Sequence, residues 1–142
     1  MDRQPVALTF TIPHATLFNP FYRHFSAAVA TEGSRKKFAS NILDAYNRFS
    51  LDGIDIDWEY PGQQGNAGNG VSSSDTANFL RFLQHLRSML PPSAKITAAT
   101  QIVPFAGSNG HPLQDVSEFA KVVDWILLMN YDVWGCTPSF FN

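Results

Sequence analysis

The chain has 142 residues, 44% of them hydrophobic and 13% aromatic, the length and composition of one ordinary globular domain with enough apolar surface for a core and no compositional bias toward disorder. Ten Lys and Arg against twelve Asp and Glu leave a net charge of −2, which gives no electrostatic reason to expect a nucleic acid or an anionic membrane as partner. Cys136 is the single cysteine, which excludes an intrachain disulfide and a cysteine-ligated metal cluster, and no apolar run approaches the ~20 residues of a transmembrane helix.

Met1 to Pro13 lacks the charged start, longer apolar stretch and small-residue cleavage site of a signal peptide. Within it, Val6 to Ile12 is short, β-branched and bounded by Pro5 and Pro13, which predicts a strand. His14 to Arg23, interrupted by Pro20, reads as loop. Phe38, Ile42, Ala45, Tyr46 and Phe49 then recur at helical spacing with Arg35, Lys36 and Lys37 opposite, predicting a helix from Arg35 to Phe49 capped by Ser34.

Leu51 to Gly62 reads LDGIDIDWEYPG. Acidic and bulky apolar residues alternate with period two, so a strand would direct Asp55, Asp57 and Glu59 to one face and Ile54, Ile56 and Trp58 to the other. Same-face neighbours two apart lie roughly 6–7 Å from each other, so full ionisation of all three carboxylates in an apolar setting is costly and a shared proton is expected. One carboxyl can then stay protonated as a donor while another stays charged, which suits acid–base chemistry. Glu59 falls at the C-terminal end, just before Pro61-Gly62. A calcium loop does not fit, because aligning Asp55, Asp57 and Glu59 with its first ligands puts Tyr60 where the turn requires Gly. Spacing alone leaves catalysis, a divalent-metal site and a structural acidic cluster open.

Residues 62–74 are rich in Gly, Gln, Asn and Ser, a flexible loop at the end of that strand, either a tolerated insertion or a substrate-contacting segment. Ser74 and Asp75 are candidate N-caps of a second helix, whose buried stripe is Phe79, Phe82, Leu83, Leu86 and Leu90 and which Pro91-Pro92 stops. Lys95 to Thr100 is a short strand. Gly107 to Pro112 is turn-rich, and Asp115-Val-Ser-Glu118 has the form of a capping box opening a third helix to about Val122. Asp124 to Asp132 is almost wholly apolar, as expected of a strand covered on both faces, with Trp125, Leu127, Met129 and Tyr131 on one side. Strands alternating with helices imply parallel pairing and an α/β fold.

The string LDGIDIDWEYPG resembles the Asp-Gly-x-Asp-x-Asp-x-Glu signature of glycoside hydrolase family 18, the chitinase-like family, at every signature position, and Met129-Asn-Tyr-Asp132 resembles its Met-x-Tyr-Asp motif. The likeness runs from about Phe25 to Gly135 and is strongest to fungal secreted members. It implies part of a TIM-type (β/α)8 barrel, about strands 3–6, with the site at the C-terminal strand ends. As such a barrel takes about 250 residues, the chain is expected to be a single truncated catalytic domain of a little over half that length. The family's Ser-x-Gly-Gly motif is absent where Leu17-Phe-Asn-Pro-Phe21 stands, and Cys136 to Asn142 does not continue the family pattern.

The resemblance implies cleavage of β-1,4-linked N-acetylglucosamine polymers, with the substrate's own N-acetyl oxygen as nucleophile. It makes Glu59 the general acid/base, has Asp57 hold the acetamido N–H, Asp55 share a proton with Asp57, and Tyr131 donate to the acetyl carbonyl. Asp132, Met129, Trp134 and Tyr60 would contact the sugar, with no metal or cofactor. The expected partner is chitin or its oligosaccharides, outside the cell. The alternative reading is an inactive fragment or a chitinase-like chitin-binding protein.

Overall fold

The computed structural model describes residues 6–11, 24–65, 69–103 and 105–131. Four strands, β1 (Ala7–Thr11), β2 (Gly53–Asp57), β3 (Lys95–Thr100) and β4 (Trp125–Leu128), are linked by α1 (His24–Ala30), α2 (Glu32–Arg48), α3 (Asp75–Met89) and α4 (Ser117–Ala120). Their order in space follows the chain, and every neighbouring pair is parallel. This is the α/β alternation the sequence predicts.

Pairing aligns Thr9, Asp55, Thr97 and Trp125 across the sheet, so these positions share one face, and Ile54 and Ile96 share the other. Gly53 sits where the strands approach closely: a Cβ there would lie 2.8 Å from the Lys95 carbonyl oxygen. Beside it, Asp52 ties three strands together at their N-terminal ends. Its Oδ2 accepts from Val6 N–H at 2.8 Å, its N–H donates to Val6 O at 2.6 Å, and its carbonyl accepts from Lys95 N–H at 3.0 Å. The first two residues of the signature are therefore structural.

On the far face Ile54, Ile56 and Trp58 are at most 4% exposed and pack beneath α1, α2 and α3. Trp58 stacks on Phe25 with ring centroids 5.3 Å apart and meets Phe79 edge-on at 5.4 Å. Phe79 also packs against Phe82, Phe105 and Phe119. Such pairs contribute about 0.5–1.5 kcal/mol each beyond the area they bury. The stripe predicted for α3 is buried, and Leu90, extended at ψ 151° before Pro91, ends the helix where expected.

Several local expectations are corrected. α1, which the sequence reading did not pick out, is short, buries Phe25 and Val29 one turn apart, and has no acidic first turn or basic last turn to announce it. α2 begins at Glu32 with Thr31 as N-cap, and Ser34 is the third residue of the helix, its hydroxyl returning to Thr31 N–H. Phe49 is the C-cap residue and 60% exposed, because the helix ends before it can turn inward. Asp115 does not cap a helix to Val122. Its Oδ1 accepts from Ser117 N–H, Glu118 pairs with Lys121, and α4 is a single turn with Val116 at its N-cap.

The largest correction concerns β4. It is four residues long and all four are exposed, where the apolar run from Asp124 to Asp132 predicts a strand covered on both faces. One turn of helix is too short to cover its Ile126 and Leu128 side. A cavity of about 150 Å³ lined by Thr100, Ile102, Val116, Ile126 and Leu128 lies on its helix side.

Candidate active site

β2 carries the acidic residues out toward the C-terminal edge of the sheet. Asp55 is 7% exposed, and its Oδ1 accepts a 2.6 Å hydrogen bond from the Thr97 hydroxyl on β3. This bond satisfies a buried carboxylate oxygen that would otherwise cost about 1–3 kcal/mol or more. Asp57, two residues on, is half-buried with its Oδ1 closed to solvent. Ala99 stands beside it on β3 in register, a small residue that leaves space over the sheet between Asp57 and β4.

Glu59 and Tyr60 follow the strand, both half-buried and joined by a cis peptide bond. The loop after them folds back against the Glu59 backbone. Asn69 Nδ2 donates to the Glu59 carbonyl at 3.0 Å, and Gly65 lies so near that a Cβ would come within 2.2 Å of the same oxygen. Only glycine fits there without displacing Glu59. Gly65 and Asn69, on either side of residues 66–68, are thus packed against the Glu59 backbone. A small hollow of about 10 Å³, lined by Tyr60, Gln63, Thr100 and Gln101 among others, opens beside it. It is room for roughly one water.

Of the remaining candidates, Met129 is 6% exposed and its N–H donates to Thr100 O at 2.9 Å, while Tyr131 is 64% exposed. The two therefore differ in burial, although a regular strand would have put them on one face. Asp132 and Trp134 lie outside the described residues. Among the described residues no group of three His, Cys, Asp or Glu side chains could hold a metal ion, and no helix is long and apolar enough to cross a membrane.

Thr97, Asn69 and Gly65 are the site residues that sequence reasoning missed. Thr97 had no local signal; only the strand register reveals it. Gly65 and Asn69 sat in a stretch whose composition suggested mobility.

Parallel strands in chain order, with connecting helices on one face and acidic residues carried toward the C-terminal strand ends, have the layout of part of an α/β barrel. Residues 19–139 match the model for Glycosyl hydrolases family 18, and the chain belongs to that family. It is 45% identical over 115 residues to a "chitinase-like effector" of Moniliophthora roreri, covering 80% of this chain and 27% of that protein. It is 34% identical over 122 residues to a secreted chitinase of Penicillium expansum, covering 85% of this chain and 8% of that one. The fold superposes on a chitinase from Rhizomucor miehei with a TM-score of 0.76 at 34% identity, over 79% of this chain and 36% of that one. The sheet described above is accordingly part of a TIM-type barrel, and the chain spans about a quarter of the length of the first of these relatives and about a third of the superposed chitinase.

Proposed function

We propose that the chain carries the acid-bearing part of an extracellular chitinase-type hydrolase that cleaves β-1,4-linked N-acetylglucosamine polymers with retention. The observation that supports this reading is that Glu59 follows β2 two residues after Asp57, beyond the C-terminal end of a strand whose Asp55 lies on the face opposite Ile54 and Ile56. Family membership and the chitinases among its relatives support the substrate class, and the secreted relative supports the location.

In this mechanism Glu59 gives its proton to the glycosidic oxygen as the bond to C1 breaks. The acetamido carbonyl oxygen of the same sugar bonds to C1 and forms a cyclic oxazolinium ion. Asp57 holds the acetamido N–H and balances the positive charge. Asp55, fixed by Thr97, shares a proton with Asp57. Glu59 then takes a proton from water, which attacks C1, reopens the ring and releases the sugar with its original configuration. Tyr131 donates its hydroxyl to the acetyl carbonyl, while Met129 beneath the sugar, Tyr60, Asp132 and Trp134 line the pocket.

Glu59→Gln in the full chain tests the reading by hydrolysis of N-acetylglucosamine oligosaccharides. Loss of the acid is expected to lower kcat by about 10²–10⁴-fold with oligosaccharide binding retained. Undiminished turnover overturns the assignment. A second reading, a chitin-binding protein without turnover, is supported by the similarity to a "chitinase-like effector"; binding that is equal in both forms, with hydrolysis by neither, would establish it.

A further inference from the structure

The first turn of α3 contains a carboxylate that the mechanism does not use. Asp75 is 0% exposed. Its Oδ1 accepts from the Ser26 hydroxyl on α1 at 2.6 Å, and its Oδ2 accepts from Ser72 N–H at 2.8 Å and, more weakly, from Gly62 N–H at 3.4 Å. Burying an ionised carboxylate is costly unless such donors surround it. An apolar residue at that helix position would bury without that cost, so the packing of α3 alone does not call for Asp75.

These contacts have a common target. Gly62 and Ser72 stand at the two ends of the loop whose Gly65 and Asn69 press on the Glu59 carbonyl. Asp75 therefore closes that loop like a clasp. Its neighbour Thr76 acts alongside it, donating to Ala106 O at 2.5 Å and reaching Pro61 O at 3.5 Å, which ties the segment beyond β3 to the same point. Polar contacts and close approaches thus link the Glu59 carbonyl to Gly65 and Asn69, and the loop ends Gly62 and Ser72 to Asp75. Gly62, at φ +72°, supplies the left-handed turn that sends the loop back.

We propose that Asp75 is a positioning residue that fixes the proton donor by holding the two ends of the loop behind Glu59. The catalytic half of this statement rests on the hydrolase reading above; the structural half does not. A displacement of about 1 Å at a reacting group can cost about 10²-fold in rate, so freeing the loop should appear in turnover more than in binding.

The test uses the full chain. Asp75→Asn puts an amide N–H donor among groups that donate, and Ser26→Ala removes only the contact to α1. Asp75→Asn is expected to raise amide hydrogen exchange across 59–72 by tenfold or more and to lower kcat by about 10- to 100-fold with KM within about twofold. Ser26→Ala is expected to lower the unfolding midpoint while kcat and loop exchange stay at wild-type values. Loop exchange unchanged in Asp75→Asn overturns the proposal whatever turnover shows, and faster exchange with unchanged kcat overturns the link to Glu59. If Asp75→Asn does not fold, Gly65→Ala, which pushes directly on the Glu59 carbonyl, poses the same question and is expected to give the same kcat loss; unchanged kcat there also overturns that link. A wild-type chain as inert as Glu59→Gln sinks the hydrolase reading separately, and the exchange measurement still decides whether Asp75 holds the loop.

Discussion

β2 and β4 both turn apolar residues toward the helix side of the sheet, yet these meet opposite fates. Ile54, Ile56 and Trp58 on and just beyond β2 are at most 4% exposed, whereas Ile126 and Leu128, on the helix side of β4, are 38% and 64% exposed. The connections to them explain the contrast. α3, after β2, runs 15 residues and brings Phe79, Phe82, Leu83 and Leu86 onto the sheet, while α4, before β4, has four residues and buries Phe119 alone. An apolar run forms a strand, but burial at about 25 cal/mol per Å² is realised only where another element arrives with area of its own.

That contrast can be broken most severely at its aromatic centre. Phe79→Ala removes a ring in contact with Trp58, Phe82, Phe105 and Phe119 and is expected to destabilise the full chain by about 3–5 kcal/mol in urea unfolding. A loss under 1 kcal/mol would show that the β2 side is not the packed core. A smaller change is expected from Thr97→Val, which leaves the buried Asp55 Oδ1 without its donor and should cost about 1–3 kcal/mol by the same measurement.

Acid should weaken the β3–β4 boundary in a defined window. Asp124 is pushed upward by burial, the largest single influence. Hydrogen bonds from Lys95, the Ile96 N–H and Arg87, with the charge of Arg87, together outweigh it and hold the carboxyl at about 2, below its ordinary 3.8. The folded state therefore binds this proton less readily than the unfolded one. The stabilisation is fully present above the unfolded value and is lost as pH falls toward about 2. Unfolding midpoints of Asp124→Asn are expected to lie below wild type near neutrality and to lose less between pH 5 and pH 2. The smallest effect belongs to the exposed strand: Leu128→Gln, at a residue 64% exposed, should change stability by no more than about 0.5 kcal/mol, and a larger loss would mean that β4 is covered in solution.

Much of this architecture was legible in advance because it follows from local periodicity. β3 falls on Lys95–Thr100 as read, the buried stripe of α3 is the predicted one, and Trp58 turns away from the carboxylates as alternation requires. Where expectation failed, the cause lay outside the window being read. The Thr31 cap was obscured by Gly33, a poor helix former inside the first turn. Asp115 and Glu118 had the spacing of a capping box but found other partners, Ser117 N–H and Lys121.

By itself the sequence determined the strand alternation that separates Asp55 and Asp57 from Ile54 and Ile56, since side-chain direction along a strand depends only on parity. It also determined, through that acidic string, the family. Tertiary structure alone decided that Thr97 holds Asp55, that Asp75 reaches Gly62 and Ser72, and that Gly65 rests on the Glu59 carbonyl. Those contacts join residues whose separation along the chain sets no distance in space, and they exist only once strand register and helix packing have brought the segments together.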